Sequence, residues 1–138
     1  MAFAGINYLA ILVAAVASYV FGAVWYMALS KVWINALGKT EAEFKARKPS
    51  ALPFIIAFIA QLVMAFVLAG TIGHLGVDQV TPQNGIISAL FVWAGFVMTT
   101  LVTNHGFQDA KRSLTVVDGL HWLGVLLIQG LVIGLFGV

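Results

Sequence analysis

Two ionisable residues near the start of the last apolar segment are the main candidates for chemistry. Asp118 and His121 are three positions apart, which places both side chains on one face of a helix. An imidazole can change its charge near neutral pH, and an ionisable group inside a membrane helix is a functional candidate by default. Thr115 and Asp118 also have the spacing of a capping box, in which the carboxylate binds the N-cap amide. Two interpretations of Asp118 therefore stay open, helix capping and a polar site shared with His121.

A second set of polar side chains precedes this pair, at the end of the third apolar segment. It consists of Thr99, Thr100, Thr103 and Asn104. Lone hydroxyls in a membrane helix can bond their own carbonyls, but this density favours either a polar helix contact or the lining of a cavity. Only about ten residues connect this segment to the next, so their ends must be neighbours, and lipid offers polar groups no partner. The sequence therefore predicts that these side chains and His121 converge on one polar site.

Metal and enzyme chemistry have less support. A metal site built from His105, Asp118 and His121 fits the residue types, but no spacing requires it. The chain has no cysteine, which excludes thiolate metal sites and thiol nucleophiles. It also lacks a nucleophile elbow, a phosphate loop, a metalloprotease helix and a dinucleotide fingerprint. We therefore predict no cofactor and no metal and disfavour an enzyme, while a His and Asp pair acting on a lipid headgroup stays an alternative.

The composition identifies the elements that must position these residues. The chain has 138 residues, of which 62% are hydrophobic and 9% charged, and its mean hydropathy is +1.02. Because roughly 20 apolar residues cross a bilayer, the sequence predicts a single all-α membrane domain over 1–138. Its four transmembrane helices are expected at about 7–29, 52–75, 82–104 and 116–137. A capping box at Thr40 and Glu43 predicts a short interfacial helix in the first loop.

The charge distribution predicts the topology. Five Lys or Arg residues lie between spans one and two, two lie between spans three and four, and the other loop and both tails have none. The positive-inside rule then places both basic loops in the cytoplasm and both termini outside. A formal net charge of +2 is too small to indicate a nucleic-acid partner. Membrane lipids are the expected surroundings.

Small residues recur at four-residue intervals on three of the spans. Such residues let membrane helices approach closely, either within one bundle or between subunits. Because four helices enclose little interior, we predict a homo-oligomer. The last helix is expected to lie peripherally, which makes Gly130 and Gly134 the best candidates for a subunit contact. Gln61 is expected to form an interhelical hydrogen bond rather than to bind a ligand. The recurring positions are Ala14, Ser18 and Gly22; Ala65, Ala69 and Gly73; and Gly130 and Gly134.

A family resemblance covers nearly the whole chain. It is carried by Trp25-Tyr26, Trp33, Leu37-Gly38, Thr99-Thr100, Asn104, Gly119 and His121. In these features the sequence resembles the small bacterial four-span membrane proteins of domain-of-unknown-function family 1761. The resemblance implies a bacterial inner-membrane location and draws attention to His121. It implies no activity, substrate or partner.

Two functional classes are compatible with the sequence. The first is a small oligomeric channel or transporter with a polar site at the cytoplasmic end of spans three and four. The second is a structural or accessory membrane subunit, in which the polar residues only hold helices together. A scaffold should bury Thr99, Asn104 and His121 in mutual hydrogen bonds, whereas a transporter should leave them facing water.

Overall fold

Four long helices form the protein in the computed structural model, which describes residue 3 and residues 5–137. Within these residues all elements are helical, and the four long helices are apolar enough to cross a membrane. The predicted all-α fold class is confirmed, and the chain is a multi-pass membrane protein. Met1, Ala2, Ala4 and Val138 of the predicted domain lie outside the described residues. The helices are span one (Tyr8–Ala28), span two (Leu52–Gly73), span three (Pro82–Phe107) and span four (Arg112–Phe136).

The first loop contains two short helices, Ser30–Ala36 and Glu41–Lys45. Gly38 ends the first of them with a φ of 75°, a left-handed conformation that costs glycine little. The Thr40 hydroxyl accepts a hydrogen bond from the Glu43 amide at 3.1 Å and so caps the second helix, while the Glu43 carboxylate contacts the same hydroxyl at 3.1 Å. The short helix predicted in this loop is therefore present.

Span four lies at the centre of the bundle. It packs against both span one and span three, while span two packs mainly on span one. Within the most apolar window of each span, 44% of the residues of span four are buried, against 11% for span three. The peripheral position predicted for the last helix is therefore wrong. By the same measure, span three is the least buried of the four spans.

Two glycines of span four allow the close approach of span three. A Cβ atom added at Gly130 would collide with the backbone of Gly85, and one added at Gly134 would collide with the backbone of Thr81 and Pro82. Where glycines lie at a helix crossing, no side chain separates the two helices, so their backbones can come into contact. Gly130 and Gly134 are therefore used within one chain, which corrects their assignment as the subunit contact.

Span three changes its winding in the middle. Residues Trp93–Met98 form a π-helical segment between α-helical segments at Pro82–Val92 and Thr99–Phe107. The indole Nε1 of Trp93 donates to the carbonyl oxygen of Gly119 at 2.8 Å. A π-helical turn holds an extra residue and rotates the residues after it. The polar residues beyond Met98 are therefore not on the face that the regular helical period predicts.

Candidate functional site

The two basic loops lie together at one end of the bundle. Lys111, just before span four, donates from Nζ to the carbonyl oxygen of Asn35 in the first loop at 2.9 Å. We call this the basic end. Span one ends there and span four begins there, so aromatic side chains of the first meet ionisable side chains of the second.

His121 is buried at the basic end with only 5% of its surface exposed. Its ring lies 4.8 Å from the Tyr26 ring, 4.6 Å from the Trp122 ring and 6.3 Å from the Phe21 ring, the last nearly parallel to it. Its Nδ1 atom is buried and has no hydrogen-bond partner. Burying an unpaired polar atom is costly, and such a group in a membrane span marks a functional candidate. We call this group the His121 centre; it consists of Phe21, Gly22, Tyr26, Asp118, His121 and Trp122.

Span one provides the space for the imidazole. A Cβ atom added at Gly22 would lie 2.7 Å from Nε2 of His121, so only glycine fits beside the ring without a shift. One turn further along span one, Trp25 donates from Nε1 to the carbonyl oxygen of Val117 at 3.2 Å. These contacts fix span one against the first turns of span four.

Asp118 does not cap span four, and the capping interpretation was wrong. The helix begins at Arg112, so Thr115 lies within its first turns rather than at the cap position. The Thr115 hydroxyl is instead 2.8 Å from Nδ1 of His105. The half-buried Asp118 carboxylate accepts a hydrogen bond from the Tyr26 hydroxyl at 2.7 Å. Contacts with other helices thus replace the local capping pattern.

The polar residues of span three do not join His121. The hydroxyls of Thr99, Thr100 and Thr103 donate to the carbonyl oxygens of Gly95, Phe96 and Thr99 in their own helix, at 2.9, 2.5 and 2.8 Å. All three threonines and Asn104 are exposed. His121 instead packs against side chains of span one, so the predicted convergence on one site is wrong. The physical reason is that each hydroxyl satisfies itself on its own helix, and the buried face of span four turns towards span one.

The alternative metal site is not formed either. His105 contacts Thr115 at the loop, whereas His121 lies inside the bundle. Among the residues that the structure describes, no group of three or more His, Asp or Glu side chains could hold a metal ion. The ionisable groups of the His121 centre are therefore one carboxylate, one phenol and one imidazole.

A second polar group lies deeper in the bundle, where spans one, two and four meet. Ser18 donates to Oε1 of Gln61 at 2.9 Å, so the structure places an interhelical hydrogen bond at Gln61. The side-chain amide of Gln129 donates to the Ser18 hydroxyl and to the Gln61 carbonyl oxygen, both at 3.1 Å. Its own Oε1 is buried without a partner. We call Ser18, Gln61 and Gln129 the amide cluster.

Gln129 is not among the site residues predicted from the sequence. The available signal was an uncharged amide in the middle of an apolar span, where every polar group must find a partner inside the protein. Tyr26 entered the sequence predictions only as part of the family resemblance. Its hydroxyl, which reaches an acid three positions before His121, is the group that joins Asp118 to the His121 centre.

Aromatic contacts connect the His121 centre to the first loop. Tyr26 meets Trp33 with ring centroids 5.3 Å apart, and Trp33 meets Phe44 at the same distance. The Arg47 guanidinium lies 3.7 Å from the centroid of the Phe44 ring, which is cation–π geometry. The short helix Glu41–Lys45 is thus held against the basic end by packed rings.

Comparison with protein families decides the relationship of this chain to others. Residues 9–134 match the family described as "Protein of unknown function (DUF1761)". The chain belongs to this family. The match contains the whole His121 centre and the amide cluster, and the resemblance seen in the sequence is confirmed. The family description assigns no activity, and neither the curated proteins nor the solved structures gave a match.

Proposed function

We propose that the protein is a small proton-responsive membrane transporter whose proton-binding group is His121. One observation carries the proposal: the imidazole is buried within a membrane span, and its Nδ1 atom has no partner. No neighbouring group occupies this nitrogen, so it can bind a proton when a conformational change admits water to the ring, whereas the closed site disfavours the charged form. The adjacent Tyr26 donates a hydrogen bond to Asp118, so one aromatic neighbour of the imidazole is itself bonded to a carboxylate.

The interior of the bundle favours a transporter over an open channel. The amide cluster closes the region between spans one, two and four, where Ser18 and Gln129 are fully buried and Gln61 is 3% exposed. Ala14 and Ala65 pack there without exposure. Because these buried side chains fill the region between the three spans, passage requires a conformational change. The His121 centre lies between this closed region and the basic end, where a gated site is expected.

A pH jump on protein reconstituted in a solid-supported membrane tests the proposal without knowledge of the solute. Protonation of a group inside the membrane field moves charge and gives a transient current. We expect such a current for the wild-type protein, its loss in His121→Leu, and its retention in His74→Leu, which removes an exposed histidine outside the centre. Equal currents in both variants, or none in the wild type, would contradict proton binding at His121.

A second candidate function rests on the amide cluster. Its hydrogen bonds join three spans in one polar contact, as expected for a structural or accessory subunit whose purpose is a rigid fold. For that function, His121→Leu should leave the activity of the host complex unchanged. A variant that disrupts the amide cluster should instead lower the yield of folded protein. Growth assays and folded yield for the two variants, compared in the same membrane, separate the candidates.

The proposed location is the bacterial inner membrane, with the basic end in the cytoplasm and both termini outside. The asymmetry of Lys and Arg between the loops supports this orientation. Because the chain has no native cysteine, Ser113→Cys and Gln79→Cys can each report one side. A membrane-impermeant maleimide added to intact cells should label the cysteine at 79 and not the one at 113. The reverse pattern would invert the topology.

We further propose that the protein self-associates through span three rather than span four. Most of the second half of span three is exposed, and nothing lies within 4 Å of a Cβ atom added at Gly95. Thr99 and Thr103 on the following turns are also exposed, and small or hydroxylated residues are those on which membrane helices associate. Mass measurement in nanodiscs should show an oligomer for the wild type and a shift towards monomer for Gly95→Leu. A wild-type monomer would end this proposal.

A further inference from the structure

An open groove lies at the basic end, between the end of span three and the start of span four. Its volume is about 650 Å³. On span three it is bounded by Val102, His105 and Gly106, in the loop by Asp109 and Ala110, and on span four by Arg112, Thr115 and Val116. The groove takes no part in the His121 centre, and the proposed proton binding does not depend on it.

The walls of the groove are apolar along the two helices and charged near the loop, as the binding of a lipid requires. Val102 and Val116 are each 56% exposed and lie on the two long apolar helices, so they form the apolar wall of the groove. Arg112 begins span four and Asp109 lies in the loop before it, with both side chains exposed, where the headgroups of a membrane are expected. His105 uses Nδ1 for its contact with Thr115, which leaves only Nε2 available to a ligand. Apolar and charged walls therefore meet at the membrane surface.

The charges identify the headgroup. Arg112 can hold a phosphate by charge-assisted hydrogen bonds, and Asp109 can accept hydrogen bonds from an ammonium group. A purely anionic headgroup would use the cation and be repelled by the carboxylate. A headgroup with a quaternary ammonium has no N–H to donate. The combination fits a headgroup that carries both a phosphate and a primary ammonium.

We propose that this groove is a binding site for one phospholipid with a phosphoethanolamine headgroup. Its phosphate binds Arg112, its ammonium binds Asp109, and its acyl chains lie along Val102 and Val116. The proposal makes the groove a lipid site within the protein, distinct from the general attraction of the basic loops for a membrane surface.

Native mass spectrometry of the purified protein, titrated with single lipids, tests this site. The probes are phosphatidylethanolamine, phosphatidylcholine and phosphatidylglycerol with identical acyl chains. The wild-type protein should retain one phosphatidylethanolamine in preference to the other two. Because Arg112→Gln removes a charge-assisted hydrogen bond to the phosphate, it should weaken retention of the lipid about tenfold. Asp109→Asn should abolish the preference of phosphatidylethanolamine over phosphatidylcholine.

Matched controls separate the site from general electrostatics. Lys48→Gln removes one exposed cation of the first loop, and Asp78→Asn removes one exposed carboxylate of the connection between spans two and three. Neither should change retention. Val102→Trp fills the groove without changing charge and should also lower binding, which keeps the test valid if Arg112→Gln folds poorly. Equal losses in Arg112→Gln and Lys48→Gln, or equal retention of the three lipids by the wild type, would overturn the proposal.

Discussion

The Nε2 edge of the His121 ring lies directly over Gly22, where an added Cβ atom would stand 2.7 Å away. One residue of span one therefore sets the position of the buried imidazole of span four. The sequence pattern predicts a close helix approach at Gly22. In the structure, the space beside Gly22 is filled by the His121 side chain and not by the backbone of another helix. Gly22 and His121 should accordingly behave as a coupled pair.

Gly22→Ala should destabilise the protein and displace His121. Overpacking a well-filled site typically costs about 1–3 kcal/mol, and the ring cannot withdraw easily because Phe21 and Tyr26 flank it. In a His121→Ala background the space is empty, so the same change should cost little. Thermal unfolding of the four proteins of this double-mutant cycle measures the coupling. Additive effects would show that the imidazole does not occupy this space.

Tyr26→Phe should weaken the contact between spans one and four by removing the hydrogen bond to Asp118. Hydrogen bonds to charged groups contribute about 1.5–3 kcal/mol, and the variant leaves a half-buried carboxylate without this donor. Asp118→Asn in the same background should add little further loss. The free energy of unfolding in mild detergent measures both changes. Tyr8→Phe, at an exposed tyrosine of the same span, is the control and should have no effect.

The sequence predicted the features that depend on local chemistry. Thr40 caps the start of a helix, as its spacing to Glu43 predicts, because capping acts within a few residues. Long apolar segments also had to become spans, because backbone groups in lipid must bond within a helix. The sequence therefore predicted four apolar helices, and four are present in the part of the chain that the structure describes.

The rotation of the spans against each other could not be predicted from the sequence. Span three is apolar around most of its circumference, so no stripe reveals its buried face, and its π-helical turn at Trp93–Met98 shifts the faces again. Thr115 and Asp118 failed as a capping pair because His105 and Tyr26 bind them from elsewhere in the fold. The sequence pointed to His121 and Asp118 as candidates, but it did not predict that Phe21 and Tyr26 of span one would be their neighbours.

Gln129→Leu should be tolerated much better than Gln129→Ala. The leucine removes the unpartnered Oε1 atom together with two hydrogen bonds, and hydrogen bonds between membrane helices average only about 0.6 kcal/mol. The alanine leaves a cavity at a fully buried position, for which losses of about 2–5 kcal/mol are typical. The free energies of unfolding of the two variants, each compared with the wild type, test this expectation. A large loss for Gln129→Leu would instead mean that the hydrogen bonds of the amide cluster hold the spans together.

Gly130→Ala should destabilise the single chain. The added methyl group would meet the backbone of Gly85, and a backbone contact cannot be relieved by a side-chain rotation, so spans three and four must separate. Gly106→Ala is the matched control, because nothing lies within 4 Å of a Cβ atom at that position and alanine is favoured over glycine in a helix.

The dependence on concentration distinguishes this contact from one between subunits. If Gly130 packs within the chain, its loss of stability should be the same at high and at low protein-to-detergent ratio, because an intramolecular contact does not depend on a second copy. A contact between subunits would give a loss that grows on dilution. Thermal unfolding of Gly130→Ala at two such ratios therefore tests the observed position of span three directly, and a loss that grows on dilution would restore span four as the subunit interface.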